Sequence, residues 1–221
     1  MGTTTTLTAA DGHSFEAYVA GPEDAKRGLV VIQEIFGLNH HIKAMVDRYA
    51  AHGYRVIAPA IFDRVQRGVE LGYGPDDRKA GSELRKQVSD DAALADIAAC
   101  AAALGDRKKA IIGYCYGGTM AWLSSTRLNA FSAASGWYGG GVAGTKDEKP
   151  SCAVQLHFGE TDGAIPMSDV DAIKAAQPQA EVYVYPGAGH GFNCDERDSF
   201  NADACKLATE RTLAFFEKNL G

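Results

Sequence analysis

Along the chain, short apolar stretches alternate with amphipathic ones. Thr3–Thr8 and Phe15–Ala20 flank an Asp11-Gly12 turn and predict a hairpin of strands at a sheet edge. Gly28–Gln33 (GLVVIQ) is a continuous apolar run, the pattern of a strand covered on both faces. His40–Ala51 places Ile42, Met45, Val46, Tyr49 and Ala50 at helical spacing, with Gly53 as the stop. Tyr54–Ala58 reads as the next strand, ended by Pro59. Four more strands are expected at Lys109–Tyr114, Ala130–Ser135, Ala153–Phe158 and Glu181–Tyr185, and four more helices at Asp90–Leu104, Gly117–Ser125, Ser168–Ala176 and Ala202–Asn219. Residues 60–89 are the least regular part, punctuated by Gly68, Gly72, Gly74 and Pro75. They read as a loop with one or two short helices lying over an edge of the sheet. The alternation predicts an α/β fold with a mostly parallel central sheet and helices on both faces. No linker or repeat divides the 221 residues, so a single domain over 1–221 is expected.

Composition narrows the function. Hydrophobic residues make up 46% and charged residues 23%, enough apolar content for a self-sufficient core. The formal net charge of -6 offers no general attraction to nucleic acid or to an anionic membrane surface. No apolar run is long enough to span a bilayer and the N-terminus has no signal-peptide pattern, so a cytoplasmic protein is expected. Five scattered cysteines, without a CxxC pair, argue for reduced thiols rather than a disulfide framework. Cys100, Cys152 and Cys205 read as small apolar side chains, and Cys194 as a residue that lines a pocket. The histidines show no recognised metal-ligand spacing, so no metal or other cofactor is expected. His157 reads as a hydrogen-bonded core residue, His40 and His41 as helix-start residues that cap, and His13 and His52 as surface residues.

The chemistry concentrates in IGYCYGG, residues 112–118. A strand runs into Cys115 and a helix follows, with Gly113 and Gly117 two residues to either side. This is a nucleophile elbow with cysteine in the place where serine is commoner. The glycines are needed because strand and helix backbones approach closely there. The elbow would lift the sulfur to the carboxyl end of the sheet and to a helix N-terminus, which favours a thiolate. A buried structural cysteine beside a Gly-rich turn is the plain alternative. A catalytic cysteine also needs a base and a group to orient it. Asp162 in GETDGAIP and His190 in PGAGHGF follow predicted strands, in the order nucleophile, acid, histidine. Read singly, Asp162 would be a turn residue and His190 a loop residue. Glu34 ends the strand GLVVIQE and points to the same rim, either to touch the thiol and set its protonation or to cap the next helix. The backbone N–H groups of Ile35 and Tyr116 are the candidate oxyanion hole.

Taken together, GYCYGG, QEIFGLN (33–39), IFDRVQRGVELGYGPDD (61–77), HFGETDGAIP (157–166) and PGAGHGFNCD (186–195) resemble the dienelactone hydrolases, or carboxymethylenebutenolidases, over nearly the whole chain. The resemblance implies a single-domain α/β-hydrolase, cytoplasmic and without cofactor, monomeric with a dimer as the alternative. It implies Cys115 as nucleophile, His190 as base, Asp162 as its orienter, Glu34 as the holder of the resting thiol, and a small lactone or ester as substrate. The same triad would serve a general short-chain carboxylesterase. In the family, two arginines clamp the substrate's carboxylate. Arg78 matches the first. The second falls four residues after the histidine, where this chain has Cys194, and a supporting tyrosine falls near Ser82. Arg197 and Arg64 are the candidate substitutes.

Overall fold

The computed structural model describes residues 1–221. Eight strands form one sheet: β1 (Thr3–Thr8), β2 (Ser14–Ala20), β3 (Arg27–Ile32), β4 (Tyr54–Pro59), β5 (Lys108–Tyr114), β6 (Ala133–Trp137), β7 (Ala153–Gly159) and β8 (Glu181–Tyr185). Their spatial order is β1-β2-β4-β3-β5-β6-β7-β8. The expected N-terminal hairpin is present, and β1 and β2 are the antiparallel members; every pairing from β4 to β8 is parallel. The central strands read as unbroken apolar runs because both their faces are covered. Leu29, Val30, Val31, Ile32 and Ala110, Ile111, Ile112 have no exposure at all.

Six helices cover the sheet: α1 (His40–Ala51), α2 (Pro75–Gln87), α3 (Asp90–Ala103), α4 (Tyr116–Arg127), α5 (Met167–Ala176) and α6 (Ala202–Leu220). On one face α3 packs beside α4. On the other, Tyr49 of α1 and Phe216 of α6 both set their rings edge-on to Tyr54 of β4. The cap of α1 is Asn39, whose side chain accepts from Ile42 N–H, rather than His40 or His41. The β6 strand lies later than the expected 130–135. Its residues are small because the α4 backbone presses on it: a methyl on Gly136 would stand 2.8 Å from Gly118 O.

Segment 60–89 also differs in place. It contains a short 3-10 turn (Ile61–Arg64) and the thirteen-residue α2. Its first residues lie beside β2 next to the sheet edge, as expected, with Ala60 N–H donating to Glu16 O and Arg67 to Ser14 O, but from Val69 onward it turns over the loop at the carboxyl end of β3. Gly37 bridges Glu70, Asn39 Nδ2 donates to Leu71 O at 3.0 Å, and α2 approaches so closely that a side chain at Gly81 would collide with Ile35 O. No helix is long and apolar enough to cross a membrane.

Candidate active site

The elbow has the backbone its glycines predict. Cys115 sits between β5 and α4 with φ 56°, in the left-handed region that a non-glycine residue rarely occupies. A methyl on Gly117 would meet Gln33 O at 2.6 Å, and one on Gly113 would collide with Gly117 O. Cys115 N–H is used at once, donating to Trp137 O at 3.0 Å. The side chain is left half-buried at the first turn of α4, facing a cavity of about 320 Å³ lined by Ile35, Tyr116, Thr119, His190 and Arg85.

His190 and Asp162 meet beside this cavity. Asp162, its side chain fully buried, accepts from His190 Nδ1 at Oδ2, 2.7 Å away. Its other oxygen accepts from Ala164 N–H at 2.8 Å, which fixes the carboxylate. Burial pulls the His190 imidazolium down. The Asp162 carboxylate on one side and the Cys115 sulfur on the other outweigh it and hold the group up at about 10. The site therefore favours a protonated imidazole beside the sulfur. Ile35 and Tyr116 both line this cavity. Ile35 N–H has no backbone partner, and Tyr116 is the first residue of α4, where helix geometry leaves the N–H free.

Glu34 is fully buried at this rim, but no hydrogen bond joins it to the thiol. Arg197 holds it instead, donating Nη1 to Oε1 at 3.1 Å; Oε2 is buried without a partner. The Arg197 guanidinium also lies 5.8 Å and 5.7 Å from the rings of Phe36 and Tyr73. Arg197 is thus brought to the site, bound to Glu34. Arg64 is not: Asp96, wholly buried, takes its Nε and Nη2 at 2.8 and 2.7 Å, and Asp11 takes Nη1. Arg78 is exposed and faces a separate polar cavity with Tyr73 and Arg197, not the Cys115 cavity. The arginine that does line the Cys115 cavity is Arg85, which is not among the arginines expected there. Its guanidinium lies 4.4 Å over the Tyr116 ring and is tied to Val88 O and Asp90. No motif marks it; only the path of α2 brings it there.

Cys194 is buried and does not line the Cys115 cavity, and burial pushes its thiol up to about 11. His157 is a core residue as expected, between Tyr185 OH at 2.7 Å and Gln155 Oε1 at 2.8 Å. His41, Asp195 and Glu196 bring three donor atoms within 4.8 Å of one another, but none of them lines the Cys115 cavity.

Residues 15–220 match the model of the dienelactone hydrolase family. The chain belongs to that family. It is 35% identical over 212 residues to a provisionally named carboxymethylenebutenolidase of Synechocystis sp., covering 87% of this chain and 86% of that protein. A crystal structure of a provisionally assigned dienelactone hydrolase from Klebsiella pneumoniae superposes with a TM-score of 0.81 at 30% identity, over 97% of this chain and 99% of that one. A Pyrococcus furiosus esterase, 13% identical, shares the fold with a TM-score of 0.73 over 100% of this chain and 94% of that one. This dienelactone hydrolase family member is a carboxylic ester hydrolase on the α/β-hydrolase fold.

Proposed function

We propose that the protein hydrolyses a lactone or small ester by acyl transfer to Cys115. The observation that carries this is a strained cysteine and a histidine at one cavity, the histidine bonded to a buried aspartate, with Ile35 and Tyr116 lining the same cavity. The resting pair is a Cys115 thiolate beside a His190 imidazolium, favoured by the raised His190 and the N-terminus of α4. The thiolate's electron pair forms the S–C bond, and the carbonyl π pair moves onto the oxygen as the oxyanion, held by Ile35 and Tyr116 N–H. The oxyanion collapses, the ring or ester oxygen leaves, and His190 gives it a proton. Neutral His190 then takes a proton from water as that water attacks the thioester. The acid departs and thiolate and imidazolium are restored. Asp162 keeps Nδ1 protonated so that Nε2 faces the sulfur. A thiolate is a good leaving group as well as a good nucleophile, which suits an activated conjugated lactone better than an alkyl ester or amide.

The cavity supports a small substrate with one anionic group. Besides the catalytic pair and Thr119 it is formed by apolar and small residues, and Arg85 is its one arginine. A general short-chain esterase is the second reading, favoured by the absence of a second arginine from the cavity. The test is hydrolysis of a dienelactone beside p-nitrophenyl acetate, with the natural chain and Cys115→Ala. Lactone turnover that exceeds ester turnover and vanishes in the variant is expected. Ester turnover alone would overturn the substrate, and full activity in Cys115→Ala would overturn the mechanism.

A further inference from the structure

Tyr138 is the residue of the site that neither the sequence pattern nor the reaction accounts for. Its ring and hydroxyl are fully buried, yet the hydroxyl has no hydrogen-bond partner. Its backbone is held at φ 40°, and Cys115 is the only other non-glycine residue with positive φ. Such a combination is costly in two ways and persists at places with a task.

The sheet register shows what Tyr138 stands beside. Ile32 of β3 pairs with Gly113 of β5, and Gly113 pairs with Gly136 of β6. Two residues beyond each of these lie Glu34, Cys115 and Tyr138. All three lie just past the carboxyl ends of three adjacent strands, with Cys115 following the middle one. On one flank is an orphaned acceptor, Glu34 Oε2; on the other is an orphaned donor, the Tyr138 O–H. The Tyr138 ring also stands edge-on to His190 at 5.1 Å.

We propose that these two orphaned groups become partners when their side chains rotate toward each other, and that Tyr138 is the positioning residue that hydrogen-bonds the inner oxygen of Glu34 beside the nucleophile. Arg197 compensates one carboxylate oxygen and Tyr138 the other. An uncompensated carboxylate next to Cys115 opposes the thiolate; one bonded at both oxygens opposes it less. The charged and titratable groups around this pair are Arg197, His41, Tyr73 and Cys194 on the side of Glu34, and Tyr114, Cys115 and His190 on the side of Tyr138. After burial, Glu34 is the largest influence on the Tyr138 phenol, raising it, as expected for a donor facing a carboxylate.

The inference rests on the thiolate reading of Cys115, and the experiment separates the two. Cys115 alkylation by iodoacetamide is followed against pH in the natural chain, Tyr138→Phe, Glu34→Gln and the double variant. The phenylalanine keeps ring, packing and backbone, so a structural role alone leaves the profile unmoved. In Tyr138→Phe the midpoint should rise by about one pH unit, with kcat/KM near neutrality down about tenfold. In the Glu34→Gln background the same change should shift nothing, because the charge it managed is gone. An unmoved profile in Tyr138→Phe overturns the proposal. So does a shift that persists in Glu34→Gln, which would mean that the phenol acts directly on the sulfur. Failure of the thiolate reading itself shows separately, as turnover that survives Cys115→Ala.

Discussion

Replacing Asp162 with asparagine perturbs the electrostatics of the site with little change of volume. The aspartate is buried, 2.7 Å from His190 Nδ1, and it is the first of the groups that oppose the cost of burying the imidazolium. Holding that group up from 6.5 to about 10 corresponds to about 5 kcal/mol in favour of the charged form. Asparagine can keep the bond from Ala164 N–H but offers Nδ1 a neutral amide. Removing roughly half of the stabilisation, about 2–3 kcal/mol, brings the alkaline limb of kcat/KM down about two pH units. The maximum itself should fall by about 10³ to 10⁴-fold, as is typical when a triad loses its orienting carboxylate. The assay is kcat/KM for p-nitrophenyl acetate across the neutral and alkaline range, with background hydrolysis subtracted. Stability follows the same sign. A histidine raised in the folded state stabilises it fully below 6.5, and that contribution is lost as pH rises through about 10. Asp162→Asn should therefore lose less stability than the natural chain on going alkaline. An alkaline limb that stays in place would refute the assignment of the His190 shift to Asp162.

Three other outcomes are expected. Gly117→Ala puts a methyl 2.6 Å from Gln33 O between two backbones, so it should cost about 1–3 kcal/mol and lower the melting temperature by several degrees; an unchanged melting curve and rate would contradict the packing argument. Arg85→Ala should raise KM for a carboxylate-bearing lactone about tenfold while sparing a neutral ester, and Arg78→Ala should change neither; the reverse order would restore Arg78 to the cavity. Burial lowers His157 to about 3, so the neutral ring's contribution is present above 6.5 and is lost as pH falls from there toward 3. Urea titrations should show stability dropping over that window, and His157→Gln should drop less; equal acid sensitivity would refute it.

What was legible in the sequence followed from steric necessity. Gly113 and Gly117 declare an elbow because only hydrogen fits where β5, α4 and the end of β3 converge. Asp162 and His190 were legible because each follows a strand that runs to the same edge of the sheet. The surroundings were not. Arg78, Arg85 and Arg197 are distinguished only by how residues 61–87 and 191–200 fold over that edge, which local periodicity does not encode. The register of β6 was blurred because the pressure of α4 selects small residues such as Ala133, Ser135 and Gly136 over the apolar ones that announce a strand. Glu34 could be placed at the rim, but its partner lies 163 positions away, where no motif points.

The most direct test of the account is mass analysis of the protein after rapid acid quenching during its first turnover of p-nitrophenyl acetate. The account predicts one added acetyl group, carried on the peptide that contains Cys115, formed as fast as nitrophenol is released and absent together with turnover in Cys115→Ala. Release of nitrophenol with no adduct on Cys115, and at an undiminished rate in the variant, would contradict it.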